Sequence, residues 1–181
     1  GVLEPEAAAA LGTQSGGPWL AMEYCSGSLR DIAGGLTWAG TRSVLLQLLD
    51  ALAQAHAGGV LHRDIKIANV LVSTEADVRP GIKLADFGIA HILGDADETT
   101  RSIGTPRYMA PEQVAGEWED HGPWTDLYAL GVLAWRLFTG RKPWARLSGA
   151  HLAMAMIHKP LGWPGARFDV PSGLREWVER M

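Results

Sequence analysis

Apolar positions recur along this chain with two distinct periods, and these periods mark out its elements. Leu45, Leu48, Leu49 and Leu52 return at helical spacing and predict a helix over Thr37 to Ala57. Thr37 is its candidate N-cap, and Gly58-Gly59 offers a residue free to take positive φ at its end. Val70-Leu71-Val72 is a short apolar run that reads as a buried strand, and Gly81 to Ala85 reads as a second. Trp124-Thr125-Asp126 opens a helix that runs through Phe138, with Thr125 placed to cap it and Gly140 to close it. That helix is apolar nearly all round, which assigns it to a core. Gly149 to His158 reads as a further helix, and Leu174 to Met181 begins a last one. Near the start, Val2-Leu3 reads as a strand remnant followed by a Gly/Ser/Ala-rich loop. Pro18 to Cys25 alternates as a strand that Ser26-Gly27-Ser28 ends, and Leu29 to Ile32 suggests a helical turn.

Composition narrows the class. The chain has 181 residues, 47% hydrophobic and 20% charged, which suits one globular domain or a large piece of one. A net charge of −4 supplies no basic footprint for nucleic acid and no polybasic membrane anchor. Cys25 is the only cysteine, so no internal disulfide can form, and a reducing compartment, the cytoplasm, is expected. No signal-peptide pattern opens the chain, and the apolar stretch from Leu127 to Phe138 is interrupted by Arg136 and too short to span a bilayer.

Chemistry concentrates in His62-Arg63-Asp64-Ile65-Lys66-Ile67-Ala68-Asn69. An acid, a cation and an amide fall within six residues, directly before a buried strand. Phosphoryl transfer uses such a set: a carboxylate to orient a hydroxyl, a positive charge on the moving phosphate and an oxygen ligand for Mg²⁺. A solvated charged turn is the plain alternative. The order of residues resembles the catalytic loop of protein kinases, H-R-D-L-x-x-x-N, with Ile65 in place of Leu. One hairpin later comes Asp86-Phe87-Gly88, similar to the kinase magnesium motif. Further on, Gly104-Thr105-Pro106-Arg107-Tyr108-Met109-Ala110-Pro111-Glu112 resembles the substrate-side segment that ends in Ala-Pro-Glu.

The resemblance, from Trp19 to Met181, implies an α+β protein kinase-like fold, a mainly helical C-lobe with short β-hairpins at the active site. It implies Asp64, Lys66 and Asn69 as catalytic residues, and Asn69 and Asp86 as Mg²⁺ ligands. Met22 would guard the back of the ATP pocket, Glu23 and Cys25 would lend backbone contacts to adenine, and Lys66, Asn69, Leu71 and Asp86 would complete the ATP site. His62 would pack on Phe87 and order the loop rather than act as a base. Asp126 would anchor the catalytic loop through its backbone, although a plain capping carboxylate explains it too. Thr99, Thr100 and Ser102 lie where kinases carry an activation loop, and a phosphate there could pair with Arg63. Lys66, and Thr105 before Pro106, both resemble Ser/Thr kinases rather than tyrosine kinases. The implied activity is transfer of the γ-phosphoryl of Mg·ATP to Ser or Thr of protein substrates.

Parts of the family pattern are not in this sequence. No G-x-G-x-x-G loop and no Val-Ala-Ile-Lys strand precede the hinge strand, and Lys83 lies on the wrong strand to replace the missing lysine. The Arg that usually pairs with Glu112 is expected beyond Met181. The expectation is therefore a partial kinase domain, with residues 1–25 as the last N-lobe strands and hinge and 26–181 as a truncated C-lobe, and with little activity in isolation. A pseudokinase-like scaffold or nucleotide-binding regulatory domain is the alternative. A small-molecule phosphotransferase shares the H-x-D-x-x-x-x-N loop but is disfavoured by the Ala-Pro-Glu segment.

Overall fold

In a computed structural model, residues 22–74, 79–87 and 106–179 are described. Three short antiparallel strands lie in the order β1 (Gly27–Ser28), β2 (Val70–Ser73) and β3 (Gly81–Leu84). The α-helices of the described residues are α1 (Leu29–Ile32), α2 (Trp38–Ala57), α3 (Pro111–Ala115), α4 (Pro123–Thr139), α5 (Gly149–His158) and α6 (Leu174–Glu179). The class is α+β, helices against one small sheet.

The long helix α2 begins at its predicted cap, where Thr37 Oγ1 accepts from Gly40 N at 3.3 Å. It ends as Gly59 takes a left-handed φ of 73°, a conformation that costs glycine nothing sterically. Its inner face is Thr41, Val44, Leu48 and Leu52. Leu49, expected on that face, is 41% exposed, because the buried stripe advances by three and four residues from Thr41 and leaves Leu49 beside it.

The hairpin pairs Val70 with Leu84 and Leu71 with Lys83. The edge strand β3 is tied back to α2, since Gln47 Oε1 accepts from Ile82 N at 3.0 Å. The strand expected over Pro18 to Cys25 is not formed in its described part, Met22 to Cys25, which is irregular. Pairing begins instead at Gly27–Ser28, which adds to β2 opposite Val72 and Leu71. Two residues expected to end a strand therefore make one. The Asp31 carboxylate accepts from Ser28 N and Oγ, both at 2.8 Å, and so turns the chain directly into α1.

Helix α4 is the centre of the molecule, with twelve buried positions along its length, as its all-round apolarity predicts. It starts two residues earlier than Thr125, with Gly122 as N-cap and Pro123 in the first turn, where the missing N–H costs nothing. Thr125 is thus not the cap. Its Oγ1 accepts from Gly122 N at 3.1 Å and donates to Glu112 Oε1 at 2.7 Å. Leu130, Leu133 and Leu137 pack with Leu48 and Leu52 of α2, with Ile65 and Ile67 from the segment between α2 and β2, and with Val70 at the start of β2. Trp135 and Phe138 form a second cluster with Trp38, Trp163 and Phe168. Among the described residues no helix is long and apolar enough to cross a membrane.

Candidate active site

The segment from His62 to Asn69 is positioned by alternation. Ile65 and Ile67 are buried in the α2–α4 core while Asp64 and Lys66, one residue out of phase, reach the surface. Extended backbone sends successive side chains to opposite sides, so two isoleucines are enough to aim an acid and a cation outward. At Lys66 the backbone is extended, with φ −156° and ψ 163°. A 3-10 turn at Ile67–Asn69 then returns the Asn69 side chain to Asp64.

The result is a compact polar triad. Asp64 Oδ2 accepts from Lys66 Nζ at 2.5 Å and from Asn69 Nδ2 at 2.9 Å. Asn69 Nδ2 also donates to the Asp64 carbonyl at 3.0 Å. Both amide hydrogens of Asn69 thus point back at Asp64, which leaves its Oδ1 as an acceptor. The Asp64 side chain is 50% exposed, open to an incoming molecule, and only its Oδ2 is engaged.

The loop is held from below by Asp126, itself 1% exposed. Its Oδ2 accepts from His62 N and from His56 Nε2, both at 2.8 Å, and its Oδ1 accepts from Arg63 N at 2.7 Å. A buried carboxylate is costly unless its oxygens are satisfied, and three donors satisfy it here. The anchor also holds Arg63 at φ 64°, a left-handed conformation that a β-carbon disfavours. A further brace comes from Gln113 Nε2, which donates to the Arg63 carbonyl at 2.9 Å.

His62 is fully buried and both ring nitrogens are used. Nδ1 accepts from Asp64 N at 3.2 Å, so Nε2 carries the hydrogen and donates to the Ala85 carbonyl at 2.9 Å. Burial, the largest influence, pulls its pKa below 6.5, with the Ala85 bond and the Asp126 and Asp64 charges pulling the other way. A neutral, doubly bonded imidazole has no lone pair for general-base work. Its ring lies 4.6 Å from that of Phe87, so it links the loop to the segment after β3.

Asp86 sits just past β3 at φ 60°, exposed, and Ala85 N donates to the Asn69 carbonyl at 2.9 Å. The ends of β2 and β3 therefore bring Asn69 and Asp86 to the same end of the hairpin. Mg²⁺ takes one or two carboxylate or amide oxygens from protein and fills its other positions with water and phosphate oxygens. The free Asn69 Oδ1 and the exposed Asp86 carboxylate are hard oxygen donors of the right kind, and they fit that ion. Among the described residues there is no group of three or more His, Cys, Asp or Glu that could hold a metal without help.

Other expected site residues are less closely gathered. Met22 lies in an irregular stretch, 66% exposed among the described residues. The Glu23 carboxylate pairs with Lys83 Nζ at 3.3 Å across the sheet. Cys25 is half-buried, its Sγ 3.9 Å from Ser73 Oγ, and Leu71 is half-buried in β2. Glu112 is bonded by Thr125 at the start of α4. Gly88, Thr99, Thr100, Ser102 and Thr105 lie outside the described residues. His56 and Gln113 were not singled out from sequence, since a helix-end histidine and a helix glutamine carry no local signal of a partner 70 or 50 positions away. Arg107 was missed as well: it is buried and donates to the carbonyls of Pro143 (2.9 Å), Leu147 (2.6 Å) and Trp144.

Comparison with known proteins agrees with this geometry. The family model for the protein kinase domain matches residues 12–168. Serine/threonine-protein kinase Pkn1 of Myxococcus xanthus is 41% identical over 171 residues, covering 89% of this chain and 24% of that protein. Serine/threonine-protein kinase PknA of Mycobacterium tuberculosis is 35% identical over 167 residues, covering 89% of this chain and 37% of that protein. Serine/threonine-protein kinase PknJ of Mycobacterium tuberculosis is 39% identical over 149 residues, covering 78% and 25%. The chain thus spans 24% to 37% of the length of these relatives. A triad on a loop braced by a buried aspartate, a hairpin ending in Asp86, and a family match over most of its length place this chain in the protein kinase domain family.

Proposed function

We propose that this protein is a serine/threonine kinase that moves the γ-phosphoryl group of Mg·ATP to hydroxyls of protein substrates. The observation that carries the reading is the Asp64–Lys66–Asn69 cluster. One carboxylate oxygen is fixed by a cation and an amide while the other stays available in an exposed position. Residues 1–25 are read as the last N-lobe strands and hinge, and 26–181 as the C-lobe. The relatives' names support Ser/Thr specificity, as do Lys66 and Thr105.

Asp64 orients the acceptor hydroxyl and takes its proton as the oxygen–phosphorus bond forms and the bond to the leaving ADP oxygen breaks. Lys66, held beside Asp64, supplies positive charge to the phosphoryl oxygens in transit. Asn69 Oδ1 and Asp86 would hold Mg²⁺, which neutralises phosphate charge when bound. Asp126 and His62 keep the loop in one geometry, so the reacting groups are aligned before substrate arrives. Arg63, whose Nε is buried without a hydrogen-bond partner among the described residues, is suited to pair with a phosphate on Thr99, Thr100 or Ser102.

Incubating the full-length protein with Mg·ATP and a mixed library of Ser, Thr and Tyr peptides tests this. Phosphoserine and phosphothreonine are the expected products. Phosphotyrosine as the main product, or no transfer, would sink the reading.

A further inference from the structure

Lys66 faces two ways. One side is Asp64; the other is a cavity of about 240 Å³ whose charged lining is all of one sign. Arg30 comes from α1, Lys66 from the loop, Arg107 from the 3-10 turn at Pro106–Tyr108, Arg136 from α4 and Lys142 from the turn after it. Among the described residues no carboxylate lines the cavity. Among the described residues, none forms an ion pair with Arg30, Arg107, Arg136 or Lys142. The protein as a whole carries −4, so this concentration of cations runs against its overall charge.

Two of these cations, Arg136 and Arg107, are held in place by hydrogen bonds, while Arg30 and Lys142 are exposed. Arg136 is half-buried on α4, and its Nη1 donates to the buried Tyr108 Oη at 2.7 Å. Arg107 has its Nη groups fixed on three carbonyls, so it contributes charge without mobile donors. Burial raises the Tyr108 pKa, and Arg136 and Arg30 pull it back, so both charges are felt at one hydroxyl. Like charges gathered without a counter-charge repel one another, and an anion entering between them relieves that repulsion. The cavity is smaller than the ~300 Å³ at which sites for drug-sized ligands begin, and it suits one side chain rather than a nucleotide.

We propose that this cavity is a specificity site for an acidic side chain of the protein substrate, a carboxylate or a phosphate already in place, lying within a few residues of the acceptor hydroxyl. Lys66 connects the two positions, since it lines the cavity and touches Asp64. The inference rests on the kinase reading above and adds the class of substrate.

The test compares peptides with one Ser or Thr acceptor that differ at a single flanking position, holding Asp, phosphoserine, Ala or Lys. The full-length protein with Mg·ATP is assayed for kcat/KM on each. At one flanking position the Asp or phosphoserine peptide is expected to exceed the Ala peptide by about tenfold, with the Lys peptide lowest. Phosphoserine well above Asp identifies a previously phosphorylated substrate, and equality identifies a carboxylate. Arg136→Glu should reverse the order of Asp and Lys peptides. Lys142→Glu, at an exposed position that folding does not depend on, should narrow or reverse it too. Equal use of all peptides, a wild-type preference for Lys, or an order unchanged by both variants would overturn the inference while leaving the kinase reading intact. Failure to phosphorylate any peptide would overturn the kinase reading and this inference with it.

Discussion

Asp126 and His62 show how single side chains fix the geometry of the Asp64 loop, and on the proposed reading neither takes part in the chemistry. The three hydrogen bonds to Asp126 come from His56, His62 and Arg63, two of them from backbone N–H groups with no other partner among the described residues. Asp126→Ala would leave those donors buried and unpaired and is expected to lower stability by about 3 kcal/mol, read by urea denaturation. Asp126→Asn, which keeps acceptor capacity on one oxygen, should lose less. A null effect of Asp126→Ala on both stability and activity would show that the anchor is decorative. His62 makes a different forecast. Its pKa is below 6.5 in the folded protein because burial disfavours the charged ring. The unfolded chain then binds the extra proton first on acidification, so this contribution to stability is complete above about pH 6.5 and is lost as pH falls from there through the folded pKa. The melting temperature of wild type should therefore drop more steeply below pH 6.5 than that of His62→Phe. Parallel curves would contradict the assignment of a buried neutral imidazole.

Elements matter here as carriers of the loop. Ile65 is almost wholly buried between α2 and α4, and its burial aims Asp64 outward. Ile65→Ala removes about three carbons from a packed site and should destabilise by about 2–5 kcal/mol in chemical denaturation, with activity falling even where the protein remains folded. Full activity in a folded Ile65→Ala protein would mean that the core does not set the loop. Much of this was legible in the sequence. The period of α2, the all-round apolarity of α4, the short strands of the hairpin and the closing Gly140 each follow from local rules that act within a few residues. What local rules could not supply were long-range pairings. Leu49 shares the helical spacing of the leucines yet is exposed, because leucine alone does not reveal which face the neighbours cover. Thr125 was assigned as cap because a threonine before an apolar run looks like one, whereas Pro123 starts the helix earlier and Thr125 bonds Glu112. Alternation predicts a strand over Pro18 to Cys25, yet its described part, Met22 to Cys25, is irregular and β1 forms at Gly27–Ser28, where the partner strand lies. The site residues of the loop were recognisable from their order, while His56, Gln113 and the cationic lining around Arg136 emerge only once the chain is folded.

At the scale of the whole molecule, a helical core supports a small sheet, and the reactive groups sit where the two meet. Ile65, Ile67 and Val70 enter the core and bring Asp64, Lys66 and Asn69 to its edge, and the hairpin brings Asp86 alongside. The central claim is that Asp64 is the residue on which phosphoryl transfer turns. The most direct test is the initial rate of phosphate incorporation by full-length wild-type and Asp64→Asn proteins, with matched melting temperatures. The substitution keeps the size of a half-exposed side chain, so folding should be preserved, while the proton acceptor is lost. A fall of about 10³-fold is predicted. A correctly folded Asp64→Asn protein that transfers phosphate within a few-fold of wild type would contradict the account.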